Sequence, residues 1–149
     1  IEWFNAKEDV AAGDAYPIEY VEGDYEPEQF FVVTRGLEKE PEGGARCERC
    51  FDLRLSKTIE KAKEAGADFV TTTLTISPLK NAPLLNAIGE RLALEASLTW
   101  LPSDFKKKNG YKRSVELSAE HELYRQDYCG CVFSKLEKEK SERATEETQ

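Results

Sequence analysis

The stretch CFDLRLSKTIEKAKEAGADFVTTTL, residues 50–74, joins a helical pattern directly to a pattern typical of a β-strand. From about Cys50 to Ala65, apolar side chains recur at spacings of three and four, which predicts an amphipathic helix. Gly66 is a natural helix stop, and Asp68–Leu74 is a β-branched, aromatic run of strand length. The segment therefore predicts a helix that leads into a strand.

The same pattern follows a second time. Ala82–Ser97 carries apolar side chains on one helical face, and Leu98–Leu101 is a short apolar run that Pro102 ends. The order helix–strand–helix–strand favours a parallel sheet with helices packed on it. We therefore predict an α/β fold with a small parallel sheet, and Ser114 is expected to cap a third helix.

The flanking regions are less regular. Ile18–Val21 is a candidate short strand and Glu28–Leu37 a candidate short helix, and the last fifteen residues hold nine charges. We expect a single α/β domain over residues 1–134, followed by a frayed or disordered tail over residues 135–149. The domain is expected to be incomplete at its N-terminus, since the chain opens at Ile1 and not at an initiator methionine.

Composition excludes several classes of protein. The 149 residues include 29 acidic and 21 basic side chains, 40% hydrophobic residues and four cysteines. These values are atypical of a disordered chain or a disulfide scaffold, and no run approaches the ~18 apolar residues of a membrane span. Residues 1–46 carry the whole net charge of −8, so acidity alone does not argue against a nucleic-acid partner. A soluble, cytoplasmic protein is predicted.

All four cysteines fall into two close pairs. Cys47 and Cys50 form CERC, and Cys129 and Cys131 form CGC, 78 residues further on. A CxxC at a loop-to-helix junction suits zinc, an iron–sulfur cluster or a redox disulfide. Gly130 is expected to permit the tight backbone that two sulfurs one residue apart require, which fits a readily reduced disulfide or two ligands of one metal.

Four strings in a fixed order carry a resemblance to a known family. The sequence from about Tyr20 to Ser134 resembles the QueH type of epoxyqueuosine reductase through CERCFDLRLSKT, TTTLTISPLKN, DFKKKNGYKRS and YRQDYCGCVFS. The resemblance implies a Rossmann-like, nucleotide-binding-domain-like fold. It also implies reductive removal of the epoxide oxygen of epoxyqueuosine at the tRNA wobble position, with a 4Fe-4S cluster.

The resemblance also assigns roles to the cysteines. Cys47 and Cys50 fall on the family's CxxC cluster ligands, and Cys129 and Cys131 on its redox-active CGC pair. A second iron or zinc ion beside the cluster is left open, as are the electron donor, the proton donor and the oligomeric state. Asp104, Tyr111 and Tyr128 are candidates for the proton donor.

A basic loop, Asp104–Arg113, follows the second strand. It is expected to contact the anticodon loop of tRNA, since cations beside an aromatic ring suit unpaired bases and phosphates. The alternative is a solvated turn. Arg125 is expected to join this contact, and the Ser77-Pro78 loop to line the site, because ligands of open α/β sheets bind beyond the strands' carboxyl ends. The predicted RNA-binding residues are Lys106, Lys107, Lys108, Tyr111, Lys112, Arg113 and Arg125.

The sequence departs from the family at one place. The family has an N-terminal CCxPC motif on its first strand that supplies further cluster ligands, and no cysteine precedes Cys47 here, so the resemblance implies that this strand is missing. Two alternatives to the reductase therefore stay open. One is a structural zinc module in which all four cysteines bind one ion, and the other is an inactive fragment of the reductase.

Overall fold

The structure, a computed structural model, describes residues 1–7, 10 and 12–146. None of the helices in these ranges is long and apolar enough to cross a membrane. The elements follow one another as α1 (Glu2–Asn5), α2 (Pro27–Val33), α3 (Ala45–Glu64), β1 (Phe69–Val70), a 3₁₀ helix (Thr73–Ile76), α4 (Ala82–Glu95), β2 (Thr99–Trp100), α5 (Gly110–Glu120) and α6 (Val132–Glu146).

The predicted parallel sheet is confirmed. Strands β1 and β2 pair in parallel, with Phe69 opposite Thr99 and Val70 opposite Trp100. Helices α3 and α4 pack together beside this pair, and their apolar faces form the core with both strands. The core residues include Phe51, Leu55, Ile59, Val70, Leu85, Ile88, Ala93 and Trp100. The protein thus has the expected α/β architecture.

Helix α3 ends as the sequence predicts. Gly66 adopts a left-handed φ of 68°, which lets the chain leave the helix without a Cβ clash. The N–H of Ala67 then donates to the carbonyl of Ala62 at 2.9 Å, which satisfies one of the helix's last carbonyls. This Schellman-type stop turns the chain straight into β1, and so places the strand beside its own helix.

A polar network fixes the chain where both strands end. The Oδ1 of Asn86 accepts hydrogen bonds from Trp100 Nε1 and from the Ser103 N–H, both at 3.0 Å. Ser103 Oγ in turn donates to the Thr72 carbonyl at 3.0 Å. The exits of β1 and β2 are therefore tied to each other and to α4, at the edge where open α/β proteins place their ligands.

Several predicted boundaries are wrong. The predicted strand Asp68–Leu74 shortens to two residues, because the Thr72 side chain accepts the Leu74 N–H at 3.2 Å and starts a 3₁₀ helix. Ile18–Val21 forms no strand; instead the Asn5 side chain pairs with both backbone groups of Ile18, at 2.7 and 2.8 Å.

One helix prediction needs correction as well. The third helix begins at Gly110 rather than at Ser114, because Asn109 in a left-handed conformation (φ 63°) takes the N-cap position. Ser114 Oγ donates to the Tyr111 carbonyl at 2.7 Å from inside the helix. The last helix, α6, is described as far as Glu146. Residues 147–149 lie outside the described part.

Candidate functional site

The first cysteine pair opens helix α3. Cys47 and Cys50 are three residues apart, so they share one face of the helix. Cys47 is buried, and its Sγ accepts a hydrogen bond from the Gly43 N–H at 3.2 Å. Phe51 follows at once and lies in the core, so the pair sits on a helix end that the core holds in place.

The second pair lies in irregular chain just before helix α6. The Cys129 N–H donates to Ser134 Oγ at 3.0 Å, and the Ser134 N–H donates to Cys131 Sγ at 3.4 Å. All four cysteines carry free thiols. Gly130 has no left-handed φ, and a Cβ there would meet only the Gln126 side chain, at 3.5 Å. In this free-thiol turn, Gly130 therefore has a backbone conformation that other residues can also adopt.

The two pairs meet at one small cavity, which we call the sulfur cavity. Side chains from α2, α3, the 3₁₀ helix, the loop before α4 and the CGC turn line it. They are Phe30, Arg46, Cys47, Cys50, Phe51, Arg54, Leu74, Lys80, Cys129 and Cys131. The fold therefore brings together the four thiols that the sequence singled out.

Three cations surround these sulfurs. Arg46, 1% exposed, donates to the Glu38 carbonyl at 3.0 Å and to Glu137 at 3.2 Å. Its Nε is buried and has no partner among the described residues. Arg54 and Lys80 line the same cavity. A buried donor without a partner, beside two further cations, suits an anionic occupant such as thiolate-bound metal.

The thiol of Cys50 is partly buried and lies near the other three thiols. Burial raises the pKa of Cys50, Arg54 opposes this shift, and the neighbouring thiols Cys129, Cys131 and Cys47 add to it. Deprotonation of several neighbouring thiols is unfavourable, because the thiolates repel one another. A bound metal ion supplies the positive charge that compensates for this repulsion.

The donor set matches a sulfur-bound metal group in chemistry. Cysteine sulfur is the preferred ligand of iron–sulfur clusters and of structural zinc. Within the described residues, no three His, Cys, Asp or Glu side chains lie close enough to hold one ion. The ligands of a cluster bind different iron atoms and stand further apart than the ligands of one zinc.

An open cleft of about 580 Å³ adjoins the sulfur cavity. Arg54, Leu74, Lys80 and Cys129 line both spaces, so the cleft leads to the thiols. The Ser77-Pro78 loop lines the cleft, as its position after β1 predicted. The cleft is therefore where a substrate can approach Cys129.

The predicted RNA-binding residues divide into two groups. Tyr111 and Arg125 line the open cleft, and the Arg125 guanidinium lies 5.7 Å from the Tyr111 ring centre. Arg125 also donates to the Ser114 carbonyl and to Ser118 Oγ, both at 3.0 Å. Arg125 thus ties the chain after α5 back to that helix, beside the Tyr111 ring in the cleft wall.

The cations of the basic loop do not line the cleft, and acidic side chains pair with most of them. Lys106 and Lys107 lie 3.1 and 3.3 Å from the Asp104 carboxylate. Lys112 and Arg113 pair with Glu116, at 3.9 and 3.6 Å. Lys108 makes no ion pair with any residue that the structure describes. The loop therefore presents less free positive charge than its sequence suggests.

The candidate proton donors also differ in their surroundings. Burial raises the pKa of Asp104, but hydrogen bonds from Lys106 and Lys107 outweigh it and hold that pKa below its ordinary value. Asp104 is thus a poor acid at neutral pH, and it does not line the cleft. Tyr111 and Tyr128 do line it.

Sequence reasoning missed three residues around Cys129. Lys80 Nζ donates to Glu42 Oε1 at 2.7 Å, and Glu42 Oε2 accepts from Ser134 Oγ at 3.3 Å. Lys80 stands in the string TTTLTISPLKN and Ser134 in YRQDYCGCVFS, so both lay within the motifs that carried the resemblance. Their pairing depends on contacts between distant parts of the chain, which no local pattern shows.

Comparison with known proteins identifies the family. The model of the family described as Epoxyqueuosine reductase QueH matches residues 4–137. A protein named epoxyqueuosine reductase QueH from Streptococcus pyogenes serotype M1 is 50% identical over 117 residues, 78% of this chain and 46% of that protein. Its namesake from Thermotoga maritima is 36% identical over 119 residues, 78% of this chain and 62% of that protein. The chain spans about half the length of the curated relatives it matches.

Proposed function

Because the chain belongs to the epoxyqueuosine reductase QueH family, we propose that it acts in the reductive removal of the epoxide oxygen of epoxyqueuosine. The substrate is that nucleoside at the wobble position of tRNA, and the product is queuosine. The proposal rests mainly on one observation: two cysteine pairs, 78 residues apart in sequence, line one cavity that adjoins an open cleft.

In the proposed site, Cys47 and Cys50 bind an iron–sulfur cluster. They fill two of the four cysteine positions of a 4Fe-4S cluster, which supplies electrons one at a time at low potential. Arg46, Arg54 and Lys80 offset the negative charge that thiolates and cluster sulfides bring to the cavity. A second iron or zinc ion beside the cluster belongs to the same proposal.

Cys129 and Cys131 are proposed as the redox-active pair. Removal of the epoxide oxygen as water consumes two electrons and two protons. A dithiol releases two electrons and two protons when it forms a disulfide, so one oxidation of the pair balances one turnover. Cys129 lines both the cavity and the cleft, where it can exchange electrons with either side. An external electron donor must then reduce the pair again.

The cleft is proposed to receive the nucleoside from a single-stranded anticodon loop. Tyr111 offers a ring on which a base can stack, and the Tyr128 hydroxyl can donate a proton to the leaving oxygen. Lys108, and the partly paired Lys112 and Arg113, are proposed to meet the phosphates at the rim. Acting on tRNA, the protein is inferred to work in the cytoplasm.

The decisive experiment is an anaerobic assay on tRNA that contains epoxyqueuosine, with chemically supplied electrons. The chain is first loaded with iron and sulfide, and nucleosides are then quantified by mass spectrometry after digestion of the tRNA. Conversion to queuosine is expected with the native chain and with the surface variant Lys61→Met, which breaks only an exposed ion pair with Glu64. A loss of at least a hundredfold is expected with Cys50→Ser and with Cys129→Ser.

Metal content separates this proposal from the zinc module. About four iron and four sulfide per loaded chain, with visible absorption, would support the cluster. One zinc per chain without sulfide, together with no conversion of the nucleoside, would overturn the proposal in favour of a structural zinc site. Unchanged conversion in both cysteine variants would overturn the roles given to the thiols.

A further inference from the structure

Lys80 is an unusual lysine for its surroundings. Its side chain is only 8% exposed, and its ammonium lies 5.9 Å from the centre of the Phe51 ring in the core. Charged lysines are rarely buried unless they are paired, because desolvation of the ammonium is costly. The position of Lys80, between the sulfur cavity and the open cleft, therefore calls for an explanation beyond packing.

Glu42 pairs with this ammonium, and Cys129 lies beside it. Lys80 Nζ donates to Glu42 Oε1 at 2.7 Å, and the Lys80 and Cys129 side chains both line the sulfur cavity and the open cleft. Burial lowers the pKa of Lys80, but the hydrogen bond to Glu42 and the interactions with Cys129 and Glu42 outweigh it, and the pKa lies above its ordinary value. Lys80 is accordingly an ammonium at neutral pH.

The same carboxylate connects Lys80 to the CGC turn by a second route. Glu42 Oε2 accepts a hydrogen bond from Ser134 Oγ at 3.3 Å, and Ser134 Oγ accepts the Cys129 N–H at 3.0 Å. The carboxylate thus holds Lys80 from one side and the backbone of Cys129 from the other. Neither group can shift far without breaking a bond to the network.

We propose that Lys80, held in place by Glu42, is a positioning residue for Cys129 and sets the dithiol–disulfide balance of the CGC pair. The inference deepens the proposed function, in which this pair carries electrons. An ammonium beside the sulfur stabilises the reduced, anionic form more than the uncharged disulfide. Lys80 therefore makes the disulfide easier to reduce.

The balance can be measured against glutathione without metal or tRNA. Cys129 and Cys131 lose two protons and two electrons as their S–S bond forms, and one glutathione disulfide is split into two glutathione thiols. The reduced chain is equilibrated anaerobically at a series of glutathione ratios, quenched in acid and alkylated. Peptide mass spectrometry then gives the fraction that carries the Cys129–Cys131 link.

The variants isolate the charge of Lys80. In Lys80→Met the equilibrium constant is expected to move about tenfold toward the disulfide, equivalent to a fall of about 30 mV in reduction potential. Lys80→Gln, which keeps a polar donor without the charge, should move in the same direction. Lys80→Arg, which keeps the charge, should stay within threefold of the native chain. Lys107→Met, which breaks an exposed ion pair with Asp104, should show no shift.

Circular dichroism shows which variants fold, and the Gln and Arg variants decide the question if Lys80→Met does not. Equilibrium constants for both neutral variants within twofold of the native value would overturn the proposal. So would a native chain in which Cys129 and Cys131 form no disulfide with each other. Because the assay contains no tRNA, a chain that lacks reductase activity can still show the shift, and the two proposals fail separately.

Discussion

The indole ring of Trp100 lies directly against the backbone of Gly89 in helix α4. A Cβ at residue 89 would come closer to three atoms of that ring than real Cβ contacts allow. The helix and strand β2 therefore approach as closely as they do because residue 89 has no side chain.

Substitution of Gly89 by alanine tests this contact. Alanine gains up to about 1 kcal/mol in helix propensity over glycine, but overpacking a core typically costs about 1–3 kcal/mol. Trp100 is also held by its hydrogen bond to Asn86, so its ring has little room to move. We expect Gly89→Ala to lower the free energy of unfolding in urea, whereas Glu90→Ala on the exposed face should change it by less than about 0.5 kcal/mol. A more stable Gly89→Ala variant would contradict the contact.

Asn86 offers a second test of the same region. Its removal leaves the Trp100 Nε1–H and the Ser103 N–H without their acceptor, and a buried unsatisfied group costs about 1–3 kcal/mol. Asn86→Ala should therefore lower the urea midpoint strongly. Asn86→Asp keeps an acceptor oxygen but loses the amide donor to the Ser103 carbonyl. Its urea midpoint should therefore fall between those of Asn86→Ala and the native chain. Equal stability of the alanine variant and the native chain would rule out this role.

Gly130 is predicted to tolerate a side chain. Its φ is not left-handed, and an added Cβ meets only the end of the flexible Gln126 side chain. Gly130→Ala should change the free energy of unfolding by less than about 0.5 kcal/mol and leave the Cys129–Cys131 link able to form. Gly66→Ala is the contrasting variant, because its φ of 68° strains any L side chain. A loss of stability at residue 130 as large as that at residue 66 would contradict the structure.

The ion pair between Asp127 and Lys138 predicts a pH dependence for the CGC segment. The hydrogen bond from Lys138 holds the pKa of Asp127 below its ordinary value of 3.8, and the same contact raises the pKa of Lys138. A carboxyl whose pKa falls on folding stabilises the folded state above its unfolded pKa, and this contribution is lost as the pH falls through the folded pKa. Because the pKa of Lys138 is raised on folding, its contribution to the stability of the folded state is lost as the pH rises through the folded pKa of Lys138.

Hydrogen exchange of the peptides that cover residues 127–138 measures this effect. Between neutral pH and about pH 5, Asp127→Asn should exchange faster than the native chain, after correction for intrinsic rates. The difference should vanish below the folded pKa of Asp127, where both chains lack the charge. A difference that persists into strong acid would show that the pair does not hold the segment.

Much of the fold follows from local patterns. The spacing of Phe51, Leu55 and Ile59 predicted the buried face of α3, and helix–strand order predicted the parallel pair. Strand lengths were not predictable, because Thr72 has high strand propensity and yet uses its hydroxyl to start a 3₁₀ helix. Local propensity cannot show which of two such uses the tertiary structure selects.

The candidate site was predictable only in part. The cysteines were identifiable because thiols in close pairs are rare, but the burial of Lys80 depends on Glu42, which lies 38 residues away. The basic loop also has less unpaired positive charge than its sequence suggests, because the sequence does not show which cations pair with acidic side chains. Glu116 sits one helical turn from Lys112 and Arg113 and pairs with both. Side-chain partners, rather than residue types, decide how much of a charge is available.

The four sulfurs rest on two very different supports. Helix α3 carries Cys47 and Cys50 and is embedded in the core, whereas Cys129 and Cys131 end the irregular stretch 121–131, most of which is exposed. Polar contacts of Arg125, Asp127 and Cys129 hold that stretch in place, whereas the apolar core holds α3. One wall of the sulfur cavity thus belongs to the core, whereas local polar contacts hold the other wall. Access to the thiols can therefore change at little cost to the stability of the whole chain.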